Sequence, residues 1–233
     1  MRWAKDYNDD NVMTESPNLL QHPHHGKPIR MAGQPLEHAQ AAMLMVHGRG
    51  ASAEDILTLA DQLNQPGFVY LAPQAAGNTW YPNRFLVPLE ENEPWLTSAL
   101  SFVRDVFAQI VSAGIPSERI ILFGFSQGAC LTLEFAARNA RRYGGIVGLS
   151  GGLIGPDDTP RDYVGSFSRA PVFLGCSDVD FHVPKERVNE SAEIFERMGG
   201  EVVKRLYPNH DHSVNQDEID FVSGMMETLL RGS

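Results

Sequence analysis

Ser126 stands between two glycines in Gly124-Phe125-Ser126-Gln127-Gly128, and histidines and aspartates that could serve it come later in the chain. A serine hydroxyl is a poor nucleophile until a base removes its proton. Chemistry at Ser126 therefore needs a histidine within reach and a carboxylate to orient that histidine. Such a set performs acyl transfer: attack on a carbonyl carbon, then release of the acyl group by water. The glycines have a steric reason. On a sharp strand-to-helix turn that lifts the serine clear of a sheet, a side chain at 124 or 128 would strike the neighbouring strand or helix.

The chain holds a second match, Gly148-Leu149-Ser150-Gly151-Gly152, also behind an apolar run. The residues after each serine separate the two. Good helix formers stand behind Ser126, with Leu131, Phe135 and alanines making a broad apolar face. Behind Ser150 comes Gly-Gly-Leu-Ile-Gly-Pro-Asp-Asp, which cannot start a helix cleanly. Ser126 is taken as the nucleophile and Ser150 as a strand-end residue.

In strand–turn–helix enzymes of this kind the acid and then the histidine come after the serine. His47 precedes it and is placed for another role. His210 and His212 share the loop Tyr207-Pro-Asn-His-Asp-His-Ser213. His212, directly before the last helix, is the favoured base, with His210 the alternative. A His-x-His metal site lacks carboxylate or cysteine partners at suitable spacing. For the acid, Asp180 is preferred to Asp178, because it lies farther past the strand end and just ahead of Val183-Pro184. Asp178 would then shape the loop. An oxyanion hole needs two backbone N–H groups. Gln127 supplies one, and Arg49, in the turn His47-Gly48-Arg49-Gly50, supplies the other. The Arg49 guanidinium is free to meet an anionic substrate group or to be solvated or ion-paired.

These residues need elements to carry them. From Ala41 a strand–helix rhythm sets in, with strands expected at 41–46, 68–72, 119–123, 145–149, 171–175 and 202–207. Helices are expected at 53–63, 94–113, 127–142, 184–198 and 216–230. The strands read as apolar runs, as in sheets covered on both faces. Alternation predicts an α/β fold with a mostly parallel central sheet and helices on both faces. Residues 1–40 are polar and form an extension of irregular structure or a short peripheral hairpin, and 41–233 form a single domain. The connection 74–93 is long enough to be functional. Its Trp80, Tyr81, Phe85 and Leu86, with Trp95 just beyond, either wall an acyl pocket or pack the loop down.

A formal net charge of −10 argues against nucleic acid or an anionic membrane as the main partner. No apolar stretch approaches a membrane span, and the first residues lack a signal-peptide core. The two cysteines, Cys130 and Cys176, read as core thiols, with a reducing cytoplasm as the default setting. A homodimer is left open, and a solvated turn is favoured over metal binding for His22, His24 and His25.

Taken together the motifs resemble the phospholipase/carboxylesterase family of α/β-hydrolases, which includes the acyl-protein thioesterases. The matching residues are His47-Gly48, Gly124–Gly128, Gly148–Gly151, the segment Asp178–Pro184 and His212-Ser213. The resemblance implies an α/β-hydrolase fold and a triad of Ser126, Asp180 and His212. It also implies a serine carboxylesterase for small or medium acyl esters, with no metal or cofactor, and a thioesterase or a pathway-specific ester or lactone hydrolase as the alternative. A ligand-binding protein that keeps the fold without catalysis is the third reading. Arg49 and the Ala51–Glu54 stretch depart from the pattern common in the thioesterase branch, and Phe181 stands where the family often has a proline after the aspartate.

Overall fold

A computed structural model describes residues 22–231; the expectations for residues 1–21 lie outside the described residues. Seven strands form one sheet: β1 Ile29–Gly33, β2 Ala41–Val46, β3 Phe68–Pro73, β4 Ile120–Phe125, β5 Gly145–Leu149, β6 Pro171–Ser177 and β7 Glu201–Tyr207. Their order is β1-β3-β2-β4-β5-β6-β7. Every neighbouring pair is parallel except β1 with β3. The helices are α1 Ala53–Gln62, α2 Trp95–Ser112, α3 Gln127–Arg138, α4 Lys185–Arg197 and α5 Gln216–Arg231.

Side-chain alternation sorts the core into two layers. In β2, Ala42, Leu44 and Val46 face one cluster with α2, α3 and α4, whereas Ala41, Met43 and Met45 face the other with α1 and α5. β4 divides in the same way, with Ile120 and Leu122 on one side and Ile121 and Phe123 on the other. All six β2 residues are buried. A strand covered on both faces must be apolar at every position, which is why it reads as a continuous run. Each such large side chain contributes about 1.5–3 kcal/mol by leaving water.

Two expectations change. Ile29–Gly33 is neither irregular nor part of a separate hairpin but an edge strand of the main sheet, antiparallel to β3. It is short, carries Arg30 and is only half covered, so it lacks an apolar run to announce it. Helix α3 ends at Arg138 rather than 142, where Asn139 turns its side-chain amide onto the Phe135 carbonyl at 2.8 Å. At the other edge, β7 is exposed at Glu201, Val203 and Lys204 and half-buried at its remaining positions.

Upstream of β1, His24 is fully buried. Its Nδ1 accepts from the Ala76 N–H at 3.1 Å and its Nε2 donates to the Trp80 carbonyl at 3.0 Å. Its own N–H donates to Ser98 Oγ. The segment before the sheet is thereby pinned to the 74–93 connection. Burial pushes the His24 ring down to about 4, although its bond to the Trp80 carbonyl pulls the other way. Burial also lowers His47.

A neutral ring in the fold faces a chargeable ring in the unfolded chain. The stability from His24 is therefore full above pH 6.5 and is lost as pH falls toward 4, by on the order of 3 kcal/mol. Chemical denaturation between pH 7 and 4 should show this loss, and His24→Gln should flatten the slope while lowering stability at pH 7. An unchanged slope in the variant would remove His24 as the cause.

Candidate active site

The chain order reverses at β2: β3 lies to one side of it and β4 to the other. A crevice opens at such a point beyond the carboxyl ends of the strands. The parallel register aligns Val46 with Gly124, so the turn after β2 and the turn after β4 meet. Gly48 lies against Ser126, and a Cβ at 48 would come 3.3 Å from that of Ser126. Helix α3 starts equally close to β2. A Cβ on Gly128 would overlap the Val46 carbonyl, and one on Gly124 would overlap that of Gly128. The two glycines thus have the steric cause expected of them.

Ser126 itself sits at φ 56°, ψ −122°, a conformation that costs a non-glycine residue on the order of 1–3 kcal/mol. Its N–H donates to the Leu149 carbonyl on β5, and its carbonyl accepts from Cys130 N–H in α3. Strand and helix thereby hold the turn from both sides. Ser150 directly follows β5, buried, with its N–H on the Gly175 carbonyl.

The loops after β6 and β7 bring two further groups to Ser126. His212 Nε2 lies 2.8 Å from Ser126 Oγ, and His212 Nδ1 lies 2.6 Å from Asp180 Oδ2. The Asp180 side chain is fully buried. Its Oδ1 accepts from the His182 and Val183 N–H groups at 2.8 and 3.1 Å. Burial alone would raise this carboxyl, but the His212 bond and the two N–H donors outweigh it and hold the group below its usual range. Asp180 thus faces Nδ1 and the Ser126 hydroxyl faces Nε2, an arrangement able to pass a proton from the serine to the ring. The His212 ring rests on Phe125 and, edge-on, on His182.

Asp178 and His210 fall outside this chain of contacts. Asp178 accepts from the Asn209 N–H and joins the two loops; His210 pairs with Ser213 Oγ at 3.3 Å. The backbone N–H groups of Arg49 and Gln127 find no acceptor among the described residues. Both lie on the crevice beside Ser126.

The cleft has a volume of about 570 Å³, and Tyr81 and Phe85 line it. Trp80, Leu86 and Trp95 are not part of the lining. Trp80 is wholly buried, donates its indole N–H to the His47 carbonyl at 2.8 Å, and lies between the rings of His24 and His47. Leu86 and Trp95 pack against the core. The 74–93 connection therefore both packs on its own aromatics and presents two of them to the cleft.

Side chains that a sequence scan could not assign hold this connection. The Gln127 side chain accepts from Trp80 N–H at 2.9 Å and donates to the Tyr81 carbonyl at 2.8 Å. Among the described residues Arg49 has no ion pair, but it is not free. Its guanidinium donates to the Tyr81, Pro82 and Asn83 carbonyls at 2.9, 2.8 and 2.6 Å. Thr79 Oγ1 adds a third donor to the Tyr81 carbonyl. His47 accepts from Ala75 N–H. Buried Arg187 donates to the Leu153 and Gly155 carbonyls, and the Gly155 N–H in turn holds the Phe85 carbonyl. Burial pushes the Cys130 thiol, on the cleft floor, up to about 12, so it remains protonated.

Among the described residues no helix is long and apolar enough to cross a membrane, and no three His, Cys, Asp or Glu side chains converge as metal ligands. Both ring nitrogens of His24 are already engaged.

Sheet order, elbow and crevice define an α/β-hydrolase. The model of the Phospholipase/Carboxylesterase family matches residues 30–230, and the chain belongs to that family. The crystal structure of a phospholipase/carboxylesterase from Dyadobacter fermentans is 45% identical, with a TM-score of 0.83 over 88% of this chain and 97% of that one. The acyl-protein thioesterase 1 of Gibberella zeae is 31% identical over 138 residues, which are 55% of this chain and 56% of that protein. That of Yarrowia lipolytica is 25% identical over 210 residues, 82% of this chain and 92% of that protein. The chain spans only about half the length of the Gibberella zeae and Debaryomyces hansenii relatives, 56% and 53%.

Arg49→Met should remove three charge-assisted bonds from the cleft wall, costing about 1–2 kcal/mol. Hydrogen exchange should quicken over 80–84, and Arg49→Lys should restore little, since a point charge cannot span three carbonyls. Unaltered exchange in the methionine variant would refute the clamp.

Proposed function

We propose that the protein is a serine carboxylic-ester hydrolase, with Ser126 as nucleophile, His212 as general base and acid, and Asp180 as the orienting anion. The observation that carries this is the continuous pair of short contacts, Ser126 Oγ to His212 Nε2 and His212 Nδ1 to Asp180. Substrate binds with its carbonyl oxygen toward the Arg49 and Gln127 N–H groups. As Oγ attacks, Nε2 takes its proton and Asp180 stabilises the imidazolium. The two N–H groups meet the charge that develops on the carbonyl oxygen. Collapse passes the proton to the departing alkoxide and leaves an acyl group on Ser126. Water, deprotonated by His212, then attacks this acyl-enzyme and restores the serine.

Small or medium acyl esters suit a cleft of this size walled by Tyr81 and Phe85. A thioester is the second reading, supported by the relatives named acyl-protein thioesterase. The net charge and the two free cysteines accord with a cytoplasmic enzyme.

Fluorophosphonate labelling with subsequent peptide mapping should mark Ser126, and p-nitrophenyl esters of rising acyl length should show an optimum that sizes the cleft. Ser126→Ala should lose both labelling and turnover. Asp180→Asn should lower kcat by on the order of 10⁴ by favouring the wrong tautomer of His212. Wild-type turnover by Ser126→Ala would refute the assignment. Oxygen esters and thioesters of equal acyl length, compared by kcat/KM, separate the two substrate readings.

A further inference from the structure

The cleft around Ser126 is electrostatically unlike the rest of the chain. The protein carries a formal net charge of −10, yet the cleft lining includes Arg49, Arg84, His182 and His212 and no carboxylate. The nearby acid, Asp180, has no exposed side-chain surface and is committed to His212. The Arg49 guanidinium is spent on carbonyls, which orient it without cancelling its charge.

Arg84 differs. Its backbone is held by Asn92, whose side-chain amide donates to the Arg84 carbonyl at 3.1 Å. Its guanidinium has no ion pair or hydrogen bond among the described residues. A positioned backbone thus presents an uncommitted fork of donors at the cleft, next to Phe85.

We propose that Arg84 selects substrates that carry a carboxylate in addition to the scissile ester, on either the acyl or the alcohol part. The proposal rests on the Ser126 reading and specifies the substrate of that site. Guanidinium fits carboxylate in a planar, two-bond arrangement that a neutral ester cannot reproduce. The Arg49 charge adds to the local positive potential, which draws anions into the cleft of an acidic protein.

Two matched pairs test this. Mono-p-nitrophenyl adipate against p-nitrophenyl hexanoate places the charge on the acyl side; 3-acetoxybenzoate against phenyl acetate places it on the alcohol side. For the wild type, kcat/KM should favour the anionic member of at least one pair by about tenfold, chiefly through KM. That ratio should fall toward one in Arg84→Gln, drop below one in Arg84→Glu, and shrink in the wild type as salt rises. A wild-type ratio at or below one in both pairs, or a ratio that Arg84→Gln leaves unmoved, overturns the proposal. If neither neutral nor anionic esters turn over and the fluorophosphonate does not mark Ser126, the nucleophile reading falls and this proposal falls with it.

Discussion

The approach of helix α3 to the end of β2 is the constraint on which the site depends. Backbone meets backbone at Gly128 and Val46, with no space for a Cβ. That contact fixes where the helix begins, and so forces Ser126 into its positive-φ turn. It also seats Gly48 beside the serine, which places the Arg49 and Gln127 N–H groups on one crevice. Packing of glycine against carbonyl thus determines where any charge on a bound carbonyl would be met.

Around that contact the molecule spends polar side chains on holding the cleft wall, buried ones at Gln127, His24 and His47 and an exposed one at Arg49. Gln127 and Arg49 are proposed as donors through their main chains, and both use their side chains on the Tyr81 carbonyl. His24 and His47 flank Trp80 beneath the same loop. Each buried polar group here would be costly if left unpaired, by about 1–3 kcal/mol. Removing one partner therefore disturbs the wall and the crevice together.

Some of this is legible in the sequence and some is not. The alternating apolar runs announce the parallel strands because burial on both faces imposes them. Placing Ser126, Asp180 and His212 beyond the ends of β4, β6 and β7 rests on residue type, chain order and the helix formers behind Ser126, and the structure brings the three within hydrogen-bond reach. The edge strand β1 escapes such a reading because a half-covered strand carrying Arg30 has no apolar signature. His24, Arg187 and the Arg49 clamp escape it for another reason. Their partners are remote in the chain, and nothing local in a histidine or arginine states which carbonyl it will meet. Assigning Trp80 and Trp95 to the pocket equates aromatic content with exposure; Trp80 is instead a buried strut.

The restraints on the stretch from Trp80 to Arg84 run largely through main-chain atoms: the Trp80 N–H, the Tyr81, Pro82 and Asn83 carbonyls, the Asn83 N–H and the Arg84 carbonyl. A ribbon fastened by its backbone leaves the side chains it displays at 82 and 84 interchangeable. Such a scaffold can change what it admits by single substitutions there, without recasting the crevice behind it. The cleft wall is therefore the part of this molecule where descendants could diverge in substrate at least cost to the fold.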